Sequence, residues 1–230
     1  GLGCSAALAV AISRATMLAS GLPLDDDAVM QRATAWESVF HGNPSGIDTA
    51  AACLGTCMRF ERGAGATAIA QPGDLWLAVG YSGSSASTKE MVEGIAKLKH
   101  KRPELVDKFL AAVRSLVDNA VLAIEAGDAL ALGRFLDMNQ MLLAGVMLST
   151  ETIEQMCAIA RQKGALGAKL TGSGGGGSVI ALGGACKAEE VASEAERTAR
   201  AVRDAWADAG FSAFITRIAP AASPGAERAP

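Results

Sequence analysis

Residues 172–177 read Gly-Ser-Gly-Gly-Gly-Gly, and what such a run can be for is decided by its flanks. The run formally satisfies the dinucleotide pattern GxGxxG. That fingerprint must follow a strand and open a helix, whereas this one leads into Val179–Leu182, which reads as a strand. No Lys-Ser/Thr pair follows, as a Walker loop needs. A flexible linker is the other reading, but apolar segments bracket the run closely, which suits a tight crossing inside a domain. Close backbone approach is the purpose such a crossing serves.

A second glycine turn opens the chain. Gly1-Leu2-Gly3-Cys4-Ser5 runs directly into Ala6, Ala7, Leu8, Ala9, Val10, Ala11 and Ile12, and a helix from Ser5 to Ser20 is ended by Gly21 and Pro23. The turn is either a plain junction before a helix or a set of exposed backbone N–H groups that hold phosphate oxygens with help from the helix dipole. A domain normally starts in polar, poorly ordered residues, so this start leads us to expect further protein upstream.

Asp25, Asp26 and Asp27 favour the start of a second helix reaching Val39, because carboxylates near a helix N-terminus meet its positive end. His41-Gly42-Asn43-Pro44-Ser45-Gly46 is dense in turn formers, and Asp48 precedes a short helix over 49–54. A hairpin over 57–62 and 66–70 follows, and Pro72-Gly73-Asp74 marks a domain boundary. Beyond it the pattern gives a strand at 75–81 and helices at 87–100, 103–126, 128–148 and 151–164. The glycine crossing, a helix at 187–209 and a strand at 211–218 complete it. In the 103–126 helix, Leu105, Phe109, Val113, Leu116, Ala120 and Ile124 form a stripe read as core, and Val191, Ala195, Ala199, Val202 and Trp206 form another in the last helix. Strands wrapping one side of a helix set imply an α+β sandwich. The tail after Pro220 reads as disordered.

Composition narrows the function. The chain has 230 residues, half of them hydrophobic, and a formal charge of −3, so there is no bulk basic surface for nucleic acid or an anionic membrane. Five cysteines are scattered without a CxxC pair and only two histidines accompany them, which suggests neither a disulfide framework nor a zinc site and fits a cytoplasmic setting. The stretch Gly1–Leu24 carries Arg14 and is full of small residues, so it reads as neither span nor signal. Small molecules are the expected partners.

Glu37 and Asp48 lie eleven positions apart and cannot share a helix face. They are either two ordinary surface carboxylates or a pair that meets when the intervening loop folds back. Glu37 lies near the C-terminal end of its helix, where the dipole disfavours a carboxylate and a bound cation would offset the cost.

Taken in order, GLGCSAA at 1–7, HGNPSGID at 41–48 and KLTGSGGGG at 169–177 resemble the three motifs of the GHMP kinases, with Cys4 where that family usually has serine. The likeness continues through STKEMV at 87–92 and DMNQ at 137–140, and the central motif is most similar to members that phosphorylate mevalonate. It implies a two-domain architecture: part of an S5-like N-terminal domain over 1–72, and a ferredoxin-like α/β sandwich over 73–230, with the active site in a cleft between them. It implies transfer of the γ-phosphoryl group of ATP to the 5-hydroxyl of mevalonate, with Mg²⁺, in isoprenoid synthesis. By the same resemblance Gly1, Leu2, Gly3, Cys4, Ser5 and Ala6 would cradle phosphate, and Ser5 and Glu37 would hold Mg²⁺. Asp48 would take the alcohol proton, Ser45 and Thr88 would line the substrate cleft, and Gly172, Gly174, Gly175 and Gly176 would form the third loop.

The family also implies a preceding region with adenine contacts and an assisting lysine. The chain alone is therefore expected to be inactive, and the helix face bearing Leu8, Ile12 and Leu18 is expected to be exposed. Another small-molecule kinase of the family, acting on phosphomevalonate or a sugar, and a non-catalytic nucleotide-binding or assembly module are the alternatives. The resemblance leaves room for a homodimer.

Overall fold

Helices α1 (Cys4–Ala19), α2 (Asp26–His41) and α3 (Ile47–Leu54) are in mutual contact and are tied by one arginine. The computed structural model describes residues 2–41, 45–186 and 189–220, and its contacts divide into units of residues 2–70 and 71–219. Gly1, Gly42, Asn43, Pro44 and the tail from 221 lie outside the described residues.

In the smaller unit Arg14 of α1 donates to Asp26 Oδ1 at 3.1 Å and to the Cys53 carbonyl at 2.8 Å, joining all three helices. Ala9, Val10 and Met17 of α1, Val29 and Ala33 of α2 and Cys53 of α3 make the core between them. Apart from Met17 these are small side chains, so little apolar volume fills the space between the helices. Asp25 begins α2 by accepting the Ala28 N–H at 2.9 Å. A two-stranded hairpin, β1 (Met58–Glu61) and β2 (Gly65–Ala68), completes the unit. Leu8 and Leu18 on α1 are 57% and 66% exposed while Ile12 is half-buried, so most of the face expected to be bare is bare.

In the larger unit β3 (Asp74–Tyr81) is followed by four helices: α4 (Thr88–Lys101), α5 (Pro103–Ala126), α6 (Ala129–Gly145) and α7 (Glu151–Gln162). Strands β4 (Gly167–Thr171) and β5 (Ser178–Cys186), helix α8 (Glu189–Asp208) and strand β6 (Ser212–Ile218) complete it. The sheet runs β4-β5-β3-β6 and is antiparallel throughout. This is the split βαβ order of a ferredoxin-like sandwich, with four helices in its first crossover.

The core lies between this sheet and helices α7 and α8. Ala78 of β3, Val179 and Ala181 of β5 and Ala168 and Leu170 of β4 meet Ile153, Met156, Val202 and Trp206. Trp206 is fully buried, and its indole N–H donates to the Met156 carbonyl at 2.9 Å. It rests on Gly80, where an added Cβ would stand 2.6 Å from the indole ring. Gly183 is the extra residue of a bulge opposite Trp76 and Leu77, and a Cβ there would strike the Ala195 backbone of α8.

Two side chains of α6, Asp137 and Gln140, accept N–H groups of the edge strand β4. Asp137 accepts the Ala168 N–H at 2.9 Å while holding Arg161 of α7 at 3.0 Å, which fills one of the donors an edge strand leaves open.

The α5 stripe is a correction. Only Val106 and Ala123 of that helix are buried, Leu105 is 47% exposed, and Phe109, Val113, Leu116, Ala120 and Ile124 are half-buried. The helix packs mainly against α4 and α6, with Ala123 and Ile124 at its C-terminal end beside Leu75 of β3, so most of its apolar face is covered by flanking helices. The α8 stripe is core from Ala195 to Trp206. The side chain of Val191 lies outside the described residues.

Gly133 of α6 and Gly167 of β4 touch backbone to backbone, and a Cβ on either would overlap the main chain of the other segment. Gly133→Ala is therefore expected to lower the unfolding free energy by about 1–3 kcal/mol or more, because backbone cannot yield as a flexible side chain can. Urea unfolding of the two chains checks this.

Candidate functional site

The smaller unit brings together the candidates from the first two motifs. Gly3 stands at φ 70°, a left-handed conformation that suits glycine, and α1 starts from it without a side-chain cap. Leu2, Cys4 and Ser5 are exposed and Ala6 is buried, so the N-terminal turn of α1 is open to solvent on the side of Cys4 and Ser5. Gly46, at φ 83°, starts α3 in the same way, with the Ser45 hydroxyl accepting the Ile47 N–H at 3.4 Å.

Asp48 lies in the first turn of α3, and its side chain reaches the start of α1. A Cβ added at Gly3 would stand 3.3 Å from Asp48 Cβ and 3.5 Å from Oδ1, so a bulkier residue at position 3 would press on the carboxylate. Glu37 is 6% exposed and receives a 2.5 Å hydrogen bond from the Thr49 hydroxyl, itself 1% exposed. Glu37 of α2 is thereby tied to Thr49 of α3, the residue next to Asp48.

A buried carboxylate is costly unless it is paired, and among the described residues no cationic side chain pairs with Glu37. The Thr49 hydroxyl is the hydrogen-bond partner that the described residues give this carboxylate. Among the described residues no group of three or more His, Cys, Asp or Glu could hold a metal alone. Mg²⁺ is usually held by one or two protein oxygens with phosphates and waters supplying the rest, and the carboxylate of Glu37 and the hydroxyl of Ser5 are oxygen donors of that kind.

The larger unit gathers the remaining candidates. The glycine run is the hairpin between β4 and β5, with Thr171 paired to Ser178. Gly172, Gly174, Gly175, Gly176 and Gly177 all have positive φ. The Gly175 N–H donates to the Leu148 carbonyl at 2.8 Å and the Gly177 N–H to the Ser84 carbonyl at 2.6 Å. A Cβ on Gly174 would stand 2.5 Å from Leu148 O, one on Gly175 2.7 Å from Ala86 and Met91, and one on Gly176 2.7 Å from Ser84 O. The crossing is tight because it is wedged between the β3–α4 and α6–α7 connections. The Thr88 and Ser173 hydroxyls lie 3.3 Å apart, which seats Thr88 beside the loop.

Thr49, Ser173 and Lys169 escaped the sequence reading. Thr49 follows a candidate base, which is a usable signal; the other two carry none that spacing reveals. Burial pushes the Lys169 ammonium down to about 8, and its Nζ donates to the Leu170 carbonyl. Burial pushes the Cys157 thiol beneath the sheet up to about 12. Between pH 8 and 10.5 the unfolded chain holds a proton on Lys169 that the folded chain lacks, so this group adds stability as pH rises. Cys157 acts in the opposite sense above pH 9. Relative to Lys169→Met, in which Cys157 still titrates, the parent chain should gain stability from pH 7 to 9, measured by urea unfolding at each pH.

A family model for the GHMP kinases N terminal domain matches residues 1–56, and one for the GHMP kinases C terminal matches 120–210. A mevalonate kinase of Thermococcus onnurineus is 35% identical over 187 residues, covering 79% of this chain and 55% of the relative. One from Schizosaccharomyces pombe is 32% identical over 215 residues, covering 83% and 52%. The chain thus spans about half the length of the curated relatives it matches. The crystal structure of L. major mevalonate kinase in complex with R-mevalonate superposes with a TM-score of 0.85 at 30% identity, covering 96% of this chain and 67% of that one. A Streptococcus pneumoniae phosphomevalonate kinase, at 18% identity and a TM-score of 0.69, shares the fold. Among the described residues no helix is long and apolar enough to cross a membrane.

Proposed function

We propose, since the chain belongs to the GHMP kinase family, that it carries the proton-accepting and metal-holding side chains of an ATP-dependent kinase acting on the 5-hydroxyl of mevalonate. The observation that carries this reading is the meeting of Gly3, Glu37, Thr49 and Asp48 in one unit. The names of the relatives favour mevalonate over other alcohols.

Phosphoryl transfer asks the protein mainly for positioning and charge stabilisation. The uncapped start of α1 offers N–H groups and a positive dipole end to phosphate oxygens. Cys4 leaves those amides in place, although it lacks the hydroxyl that the family usually carries there. Mg²⁺, when bound, would neutralise charge on the phosphates. Glu37 supplies a hard anionic oxygen toward it, held in one orientation by Thr49, and Ser5 supplies a second oxygen. Asp48 takes the proton from the attacking hydroxyl. Thr88, seated beside the glycine loop of the larger unit, and Ser45, at the start of α3 in the smaller unit, are each proposed to bind substrate.

The test joins the chain to the residues that precede the matching region in the Thermococcus onnurineus relative and measures ADP release with ATP, Mg²⁺ and mevalonate. Asp48→Asn should lower kcat by roughly 10²–10⁴-fold with nucleotide affinity little changed, since loss of a general base acts on the transition state. A near-normal kcat removes Asp48 from that role. In the same enzyme Glu37→Gln should shift the Mg²⁺ requirement upward by tenfold or more while mevalonate KM stays within about threefold. An unchanged Mg²⁺ titration makes Glu37 a structural carboxylate.

A further inference from the structure

The segment DMNQ enters neither the core nor the candidate site directly, yet its last residue is the most heavily bonded side chain of the larger unit. Gln140, on α6, is 2% exposed. Its Oε1 accepts the Leu170 N–H at 2.8 Å, and its Nε2 donates to Ser149 Oγ at 2.9 Å and to Glu154 Oε1 at 2.8 Å. Ser149 in turn donates to Glu154 at 2.6 Å. Both polar ends of the amide are used, and they reach β4, the α6–α7 connection and the first turn of α7.

Those are the places from which the glycine loop hangs. Leu170 lies two residues ahead of Gly172 on the strand that enters the loop. Ser149 adjoins Leu148, whose carbonyl receives the Gly175 N–H and against which Gly174 is pressed. Without the amide, the buried Leu170 donor would lose its partner, the exposed Glu154 carboxylate would lose one of its two donors, and the Leu148 carbonyl would lose the brace beside it. Glycine has little rigidity of its own, so a run of five takes its shape from such attachments.

We propose that Gln140 is a positioning residue: it fixes the glycine loop, and Thr88 through Ser173, in the geometry that phosphoryl transfer uses. The second half of this statement rests on the function proposed above. The first does not.

Two measurements separate the halves. On the 230-residue chain, amide hydrogen exchange read by NMR should show the Gly175 N–H exchanging at least tenfold faster in Gln140→Met, while Val79 and Ala181 in the sheet stay within twofold. Equal acceleration everywhere would make Gln140 a stability residue only, and an unchanged Gly175 would overturn the proposal. Gln140→Glu sets two carboxylates against each other and should also free the loop. The exchanged pair Gln140→Glu with Glu154→Gln restores a donor facing an acceptor and should return Gly175 to within about threefold of the parent.

In the enzyme extended as above, Gln140→Met should lower kcat about tenfold with ATP KM little changed, and the exchanged pair should recover it. A freed Gly175 with normal kcat would overturn the catalytic half alone.

Discussion

The larger unit depends on main chain meeting main chain at distances that admit no side chain. Gly133 against Gly167, Gly183 against α8 and Gly174 and Gly176 against neighbouring carbonyls are the same device used at separate points of one sheet. It lets helices and loop settle on β4 and β5 with no intervening layer, so the positions of these segments are set by covalent geometry and hydrogen bonds rather than by rotamers. That is a stiff way to build a surface. It explains how a loop of glycines can be an ordered part of a fold.

The smaller unit solves a different problem. It buries a carboxylate at the end of a helix where the dipole opposes it, and holds it with a single hydroxyl donor among the described residues. Arg14 does not neutralise that charge; it binds Asp26 and the end of α3, holding together the three helices on which Ser5, Glu37 and Asp48 are mounted. Arg14 is spent on alignment, and among the described residues Glu37 is given no cationic partner.

Much of this was legible in the residues, for reasons that can be named. The end of the first helix was marked by Gly21 and Pro23, the glycine loop betrayed its tightness by its apolar flanks, and the α8 stripe from Ala195 to Trp206 showed its burial by its period. Glu37 was marked by lying against its own helix dipole. The Thr49 hydroxyl bond and the Gln140 brace were not legible, because each joins elements whose approach is decided by packing elsewhere. The α5 stripe misled for a related reason: period shows that a helix has an apolar face, and only the fold shows whether a sheet or another helix covers it.

The thiols lead to a separate consequence. Burial and the neighbouring Asp26 carboxylate push Cys53 up to about 11, burial pushes Cys57 up as well, and Cys157 lies higher still and fully enclosed. Among the cysteines whose side chains are described, that leaves Cys4 as the exposed one, in the first turn of the helix that starts at Gly3. The departure from serine at this position thus gives the chain a chemical address. A maleimide dye or spin label attached there would sit at the mouth of the proposed phosphate cradle, without any engineered cysteine, and would report on what enters it.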